Sequence, residues 1–194
     1  MLDNLKDYRI ILASQSPRRQ ELLKMAEVDF EVVVIPDLEE SFPDSLPANQ
    51  TAEFLARKKM EGYSEYWSQP KTLVITADTV VVLGDEVLGK PHGREDAITM
   101  LKSLSGAVHT VFTGVAIRTS GHQSSFTAST LVYFKELHEK DIIDYVDRYK
   151  PYDKAGSYGV QEWIGLIGVG RIEGSFYNVM GLPVATLYAE LKKF

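Results

Sequence analysis

The sequence predicts an α/β fold: a long mixed β-sheet with helices on both faces. Apolar, β-branched segments alternate with segments whose apolar residues recur at helical spacing, which is typical of this class. The segment Thr72–Leu83 is rich in valine, isoleucine and threonine and apolar on both faces, as expected of a central strand covered by helices. Two later strands meet at the short turn 120–123, so part of the sheet should be antiparallel.

The remaining elements follow from local patterns along the chain. Ser16 and Pro17 suit the N-cap and first position of a helix, Thr51 suits the N-cap of another, and Pro183 is tolerated in a first helical turn. The stretch 35–50, with three prolines and several acidic residues, is interpreted as a loop. Strands are expected at 9–13, 30–34, 72–83, 107–119, 124–133 and 164–172, and helices at 20–26, 51–66, 94–104, 139–149 and 182–194.

The 194 residues suit a single domain spanning 1–194, with 44% hydrophobic and 25% charged residues. No stretch approaches the ~20 apolar residues of a membrane span, and no signal peptide is recognised, so a cytoplasmic protein without a membrane partner is expected. The absence of cysteine excludes disulfides and thiolate metal sites. A net charge of -6 disfavours polymeric nucleic acid, whereas a few converging cations can still bind a small polyanion such as a triphosphate.

The run Ser14-Gln15-Ser16-Pro17-Arg18-Arg19 lies between the first strand and the first helix. Backbone N–H groups at a helix N-terminus favour anions, and the two arginines add fork-shaped donors that match phosphate oxygens. The run therefore indicates a phosphate site. The alternative is a capped surface helix with two solvated arginines.

Asp78 lies in the middle of the most apolar strand, where an ionised carboxylate requires compensation by cations or a metal. A buried ion pair with Arg18 or Arg19 is the structural alternative to a catalytic site. A second acidic cluster, Asp37-Leu38-Glu39-Glu40, could share a hard cation with Asp78, or could simply be a solvated loop.

Three lysines in unrelated segments, Lys59, Lys90 and Lys154, would each alone be interpreted as a solvated surface residue. Their contexts differ, because Lys90 stands between Gly89 and Pro91, and glycines near Lys154 permit close approach to a ligand. Lys90 and Lys154 are therefore candidate phosphate ligands.

A series of motifs occurs in order along the chain. They are LASQSPRRQELL at 12–23, ADTVV at 77–81, LGKP at 88–91, LSG at 104–106, TGV at 113–115, DKAGSYGVQ at 153–161 and GLP at 181–183. Together they resemble the Maf protein family over nearly the whole chain. The resemblance implies a fold related to the inosine-triphosphatase type and a house-cleaning enzyme that hydrolyses the α–β phosphoanhydride of nucleoside triphosphates.

The resemblance also implies the site residues. They are Asp78, Lys90 and Arg19 for catalysis; Ser14, Arg18, Lys59, Thr79, Lys154 and Gln161 for substrate binding; and Asp78 with Glu40 for a divalent cation, Mg²⁺ or Mn²⁺. The choice between Glu39 and Glu40 stays open.

The segment Tyr158-Gly159-Val160-Gln161 resembles the branch of the family that acts on dTTP and UTP, with Gln161 reading the base. Many relatives continue with glycine after this glutamine, whereas Glu162 and Trp163 follow here. A homodimer is the family-level expectation. The competing hypothesis is a nucleotide-sensing regulator of cell division or septum formation without significant catalysis.

Overall fold

The computed structural model describes residues 2–36, 38, 40–43 and 45–194. Its strands are β1 (Arg9–Leu12), β2 (Glu31–Val32), β3 (Thr72–Leu83), β4 (Glu86–Leu88), β5 (Val108–Arg118), β6 (Gln123–Phe134) and β7 (Val169–Glu173). Its α-helices are α1 (Pro17–Met25), α2 (Ala48–Glu61), α3 (Ser64–Trp67), α4 (Arg94–Leu104), α5 (Glu139–Tyr149), α6 (Trp163–Gly168), α7 (Phe176–Met180) and α8 (Val184–Leu191).

The strands form a mixed seven-stranded sheet in the order β2-β1-β3-β5-β6-β7, with β4 paired to β3. β1 runs parallel to both β2 and β3, whereas β4 and β7 run antiparallel to their partners β3 and β6. The predicted mixed α/β fold is confirmed. Among the described residues, no helix has the length and apolar character to cross a membrane.

Backbone contacts divide the chain into two compact units. Unit 1 comprises Met1–Asp78, Thr113–Ala128 and Gly181–Phe194, and unit 2 comprises Thr79–Phe112 and Ser129–Met180. The core of unit 1 includes Ile11, Ala56, Met60, Val74 and Ala116, so α2 packs its apolar face on strands of the sheet.

In unit 2, helices α4 and α5 carry much of the core. Leu101 and Leu104 of α4 and Ile142 and Val146 of α5 are fully or almost fully buried. These residues recur at helical spacing, which is why α4 and α5 have the bounds expected from the sequence.

Several predicted elements differ from the observed ones; for example, the helix expected at 51–66 is α2 followed by the short helix α3. α2 begins at Ala48 after Pro47, so Thr51 is not an N-cap; it is fully buried, and its Oγ1 donates to the Pro47 carbonyl at 3.4 Å. The strand expected at 164–172 is helix α6 followed by β7. The terminal helix begins at Val184 with Pro183 at its N-cap, and α7 was not predicted.

His109 is buried in unit 2 between aromatic rings. Its Nε2 is 2.7 Å from the Tyr158 hydroxyl, and its Nδ1 has no hydrogen-bond partner among the described residues. The Phe134 ring packs edge-on against the His109 imidazole, with 5.2 Å between the ring centroids. Burial lowers the pKa of His109 from 6.5 to about 4, so the imidazole is neutral at pH 7.

We expect the protein to lose stability as pH falls from about 6.5 to 4, because the unfolded state then binds a proton that native His109 does not. Above pH 6.5 this contribution is fully present, and below pH 4 it stops changing, after a loss of about 3 kcal/mol in the free energy of unfolding. Urea denaturation at several pH values measures the slope. His109→Gln, which cannot titrate, should lose this part of the slope; an equal slope in both proteins would refute the assignment.

Candidate active site

The loop after β1 lies beside β3 because the two strands are parallel and in register. Leu12 pairs with Ile75, and the Ala13 N–H donates to the Ile75 carbonyl at 2.9 Å. Helix α1 then begins at Pro17, as predicted, with Ser16 at the N-cap. The Ser16 side chain makes no capping hydrogen bond; instead its backbone N–H donates to Ser14 Oγ at 3.2 Å. The loop therefore folds around the buried Ser14 hydroxyl.

Arg19 connects three segments of unit 1. Its Nε donates to the Gly181 carbonyl at 2.8 Å, and its Nη1 donates to the Ala77 carbonyl at 2.8 Å and to Ser14 Oγ at 3.4 Å. Burial lowers the pKa of the Arg19 guanidinium, and Arg18 adds to this effect, while the carboxylate of Asp78 opposes it. The guanidinium thus holds the Ser14 loop against the strand residue that precedes Asp78.

Asp78, Lys59 and Glu40 form a charged cluster in unit 1. The Lys59 ammonium contacts Asp78 Oδ2 and lies 2.8 Å from Glu40 Oε1. The side chains of Asp78 and Lys59 are only 14% and 15% exposed, whereas that of Glu40 is 48% exposed, so the first pair is largely shielded from water. The structural alternative considered from the sequence named only arginines as partners of Asp78; Lys59 is a further partner.

Two contacts explain why α2 delivers Lys59 to this position. Thr76 Oγ1 donates to the Ala56 carbonyl at 2.7 Å, and Lys59 follows Ala56 by almost one helical turn, while Asp78 follows Thr76 on the same face of β3. A Cβ atom at Gly114 would lie 2.2 Å from the Glu53 backbone nitrogen. Only glycine allows this approach between the backbones of β5 and α2.

Within unit 2, Lys154 is buried and paired with two acidic residues. Its Nζ lies 2.8 Å from Asp153 Oδ1 and 3.1 Å from Glu162 Oε1. The Gly156 N–H donates to the Gly89 carbonyl at 3.0 Å. This hydrogen bond joins the segment that follows Lys154 to the residue that precedes Lys90.

Tyr145 and Glu162 extend this group, although the sequence analysis assigned neither of them a role. The Tyr145 hydroxyl donates to Glu162 Oε2 and accepts a hydrogen bond from the Gly159 N–H at 3.1 Å. Burial, reinforced by Glu162, raises the pKa of the Tyr145 phenol, so it keeps its proton. In the sequence, the one feature that pointed to Glu162 is that it stands where many relatives have glycine.

The predicted residues divide between the two units. Unit 1 brings together Ser14, Arg18, Arg19, Glu40, Lys59 and Asp78, and unit 2 contains Thr79, Lys90, Lys154 and Gln161. Thr79 is half-buried, and Lys90 and Gln161 are exposed. Of the acidic loop, Asp37 and Glu39 lie outside the described residues, so the structure places Glu40 and leaves Glu39 untested.

The carboxylates of Asp78 and Glu40 are suitable ligands for a hard divalent cation. The carboxylates of Asp78 and Glu40 converge on the same ammonium group, so both can reach one small cation. Within the described part of the chain, no three His, Asp or Glu side chains gather as metal ligands. Mg²⁺ is commonly held by one or two carboxylates together with water and substrate phosphate oxygens, which matches this pair.

The chain is similar to known proteins over its full length. It is 55% identical over 193 residues to the dTTP/UTP pyrophosphatase of Bacteroides thetaiotaomicron, with 100% of both chains covered. It is 53% identical over 195 residues to that of Porphyromonas gingivalis (strain ATCC BAA-308 / W83), covering 100% of this chain and 98% of the relative. Among solved structures, a HAM1 protein from Coxiella burnetii matches with a TM-score of 0.48 and 14% identity, over 94% of this chain and 99% of that one.

The family assignment rests on a match to most of the chain. The profile described as Maf-like protein matches residues 9–194. This range includes every residue that the sequence analysis proposed for the site. The chain belongs to the Maf-like protein family.

Proposed function

We propose that the chain is a nucleoside triphosphate pyrophosphatase that hydrolyses dTTP and UTP to the monophosphate and pyrophosphate, in a house-cleaning role. The observation that carries this proposal is its full-length similarity, at 53% to 55% identity, to proteins named dTTP/UTP pyrophosphatase. The charged cluster of unit 1 supports it, because a carboxylate beside cationic side chains suits the activation of water near a polyphosphate.

In the proposed reaction, Asp78 orients a water molecule and accepts its proton as the water oxygen attacks the α-phosphorus. The bond from this phosphorus to the α–β bridging oxygen breaks, and that oxygen leaves with pyrophosphate. Arg19 and Lys90 stabilise the negative charge that develops on the phosphate oxygens. Ser14, Arg18, Lys59 and Lys154 bind the triphosphate before the reaction, and Thr79 and Gln161 contact the nucleoside.

The cofactor in this proposal is Mg²⁺ or Mn²⁺. Asp78 and Glu40 would hold it in place of the Lys59 ammonium, which both carboxylates contact in unit 1. Such a cation supplies charge neutralisation on the phosphate oxygens. Lys59, which contacts both carboxylates, keeps their negative charges compensated before substrate binds.

The proposal extends to partners and location. The partner is a small-molecule nucleoside triphosphate rather than a nucleic-acid polymer, in keeping with the net charge of -6. We place the enzyme in the cytoplasm and expect it to act as a homodimer.

The decisive experiment follows the products of a panel of nucleoside triphosphates with Mg²⁺, with Mn²⁺ and with a chelator. We expect dTTP and UTP to release pyrophosphate and the monophosphate, resolved by ³¹P NMR, only when a divalent cation is present. Orthophosphate as the first product would contradict cleavage of the α–β bond. The absence of turnover would favour the nucleotide-sensing alternative.

Gln161→Ala should narrow the preference for dTTP and UTP over purine triphosphates by about 10- to 100-fold. The amide offers one acceptor and two donors that complement the carbonyl and N3–H of uracil or thymine, and losing such a partner leaves polar groups of the base unpaired at ~1–3 kcal/mol. Ratios of kcat/KM measure the effect. Gln69→Ala is the matched control, because Gln69 is exposed and its side-chain amide donates to the carbonyl of Glu65, four residues earlier, at 2.8 Å. A Gln161→Ala enzyme with unchanged ratios would remove Gln161 from base recognition.

A further inference from the structure

The carboxylate of Glu162, which has no role in the proposed reaction, contacts both Lys154 and Tyr145 in unit 2. One oxygen, Oε1, lies 3.1 Å from Lys154 Nζ, and the other, Oε2, accepts a hydrogen bond from the Tyr145 hydroxyl. The Glu162 side chain is 20% exposed and that of Lys154 is 9% exposed. Both charges are therefore held in a largely dry environment, where their interaction is stronger than at the surface.

Lys154 has a second acidic partner, Asp153, but the two contacts are not equivalent. The Asp153 side chain accepts a hydrogen bond from Lys154 Nζ at 2.8 Å, but it is 57% exposed and adjoins Lys154 in the sequence, so water competes for this contact. Glu162 reaches Lys154 from a different segment, at the start of α6. The Lys154 ammonium is thus held between Asp153, to which it donates a hydrogen bond, and Glu162, which connects it to a different segment of the chain.

The loop 158–161 closes around the same carboxylate. The Gly159 N–H donates to the Tyr145 hydroxyl that in turn donates to Glu162. A Cβ atom at Gly159 would lie 2.7 Å from Glu162 Cδ, so a larger residue at this position would displace the Glu162 carboxylate. Glu162 consequently joins the Lys154 side chain to the loop that ends at Gln161.

We infer that Glu162 is a positioning residue that orients the Lys154 ammonium toward the substrate phosphates, with Tyr145 holding the carboxylate in place. A lysine side chain loses much rotamer freedom when its ammonium is fixed. The ammonium is a compact, strongly hydrated charge, and its attraction to phosphate does not by itself fix the orientation of the side chain. Fixing it in the free protein lowers the entropic cost of substrate binding. This inference rests on the proposed function.

A double-mutant cycle tests it. Wild type, Glu162→Gln, Lys154→Met and the double variant are compared for kcat and KM with dTTP and, separately, for the free energy of unfolding in urea. We expect Glu162→Gln to lower kcat/KM about tenfold, mainly through KM, when Lys154 is present, and less than about twofold when residue 154 is Met. Glu162→Asp should recover part of the loss, and Tyr145→Phe should lower kcat/KM in the same direction by a smaller factor.

The outcomes separate the inference from the function on which it depends. Equal losses from Glu162→Gln in the two backgrounds would overturn the inference while the enzyme assignment stood. A wild-type protein that releases no pyrophosphate would overturn both. A kcat/KM loss that simply follows lower stability, with additive effects on both readouts, would make Glu162 a structural residue. Should Glu162→Gln not fold, Tyr145→Phe with and without Lys154→Met gives the same cycle, and additivity there would refute the inference.

Discussion

Asp78→Asn is expected to lower turnover by about 10²- to 10⁴-fold, the range for loss of a general base, while the protein still folds. The amide keeps the shape of the carboxylate but cannot accept the proton of the attacking water, and it brings no negative charge to a divalent cation shared with Glu40. Lys59 retains its contact with Glu40 at 2.8 Å, so the ammonium is not left buried without an acidic partner. Turnover of dTTP at saturating substrate and metal measures the effect, with circular dichroism to establish folding.

Asp147→Asn is the matched control for this substitution. Asp147 forms an ion pair with Arg94 at 2.6 Å, but both side chains are substantially exposed and neither belongs to the proposed site. The same chemical change should therefore leave turnover unaltered. An Asp78→Asn enzyme with near-normal turnover and unchanged metal dependence would make Asp78 a structural carboxylate and would refute the proposed reaction.

Long periodic elements were predictable from the sequence, and short apolar ones were not. The uninterrupted β-branched run of β3 predicts a buried strand with the bounds observed. The short run at 164–172 has strand-like composition, yet the Gly165 and Leu166 N–H groups donate to the Glu162 carbonyl and start helix α6. Short apolar runs do not distinguish the two structures, so these backbone contacts decide between them.

The charged cluster of the site was only partly predictable for a related reason. The types of side chain could be read from the sequence, because an acidic residue inside an apolar strand needs compensation. The contact between Asp78 and Lys59 depends on how α2 lies on the sheet. That position is set by the close backbone approach at Gly114 and by the hydrogen bond from Thr76 to the Ala56 carbonyl. Glu162 was missed because nothing near it in the sequence indicates that Tyr145 and Lys154 meet there.

The structure gives Arg19 a role in stability in addition to the phosphate-binding role implied by the family resemblance. Its guanidinium donates hydrogen bonds to the carbonyls of Ala77 and Gly181 at the same time. This needs the planar, charged fork of donors that only arginine has. Arg19→Ala should therefore lower the free energy of unfolding by about 1–3 kcal/mol, since it removes a partly buried charge near Asp78 and leaves two carbonyl groups without this donor. It should also abolish measurable hydrolysis.

Denaturation in urea and dTTP turnover at low temperature separate these two effects. Arg19→Lys keeps the charge but cannot reach both carbonyls in the fork geometry, so it should lose less stability than Arg19→Ala and still show impaired turnover. Arg9→Ala is the matched control, because Arg9 is exposed and paired with the exposed Glu31, and its loss should change neither readout. If Arg19→Ala were as stable as wild type yet inactive, the guanidinium would serve the substrate alone, and its contacts with Ala77 and Gly181 would contribute nothing to the fold.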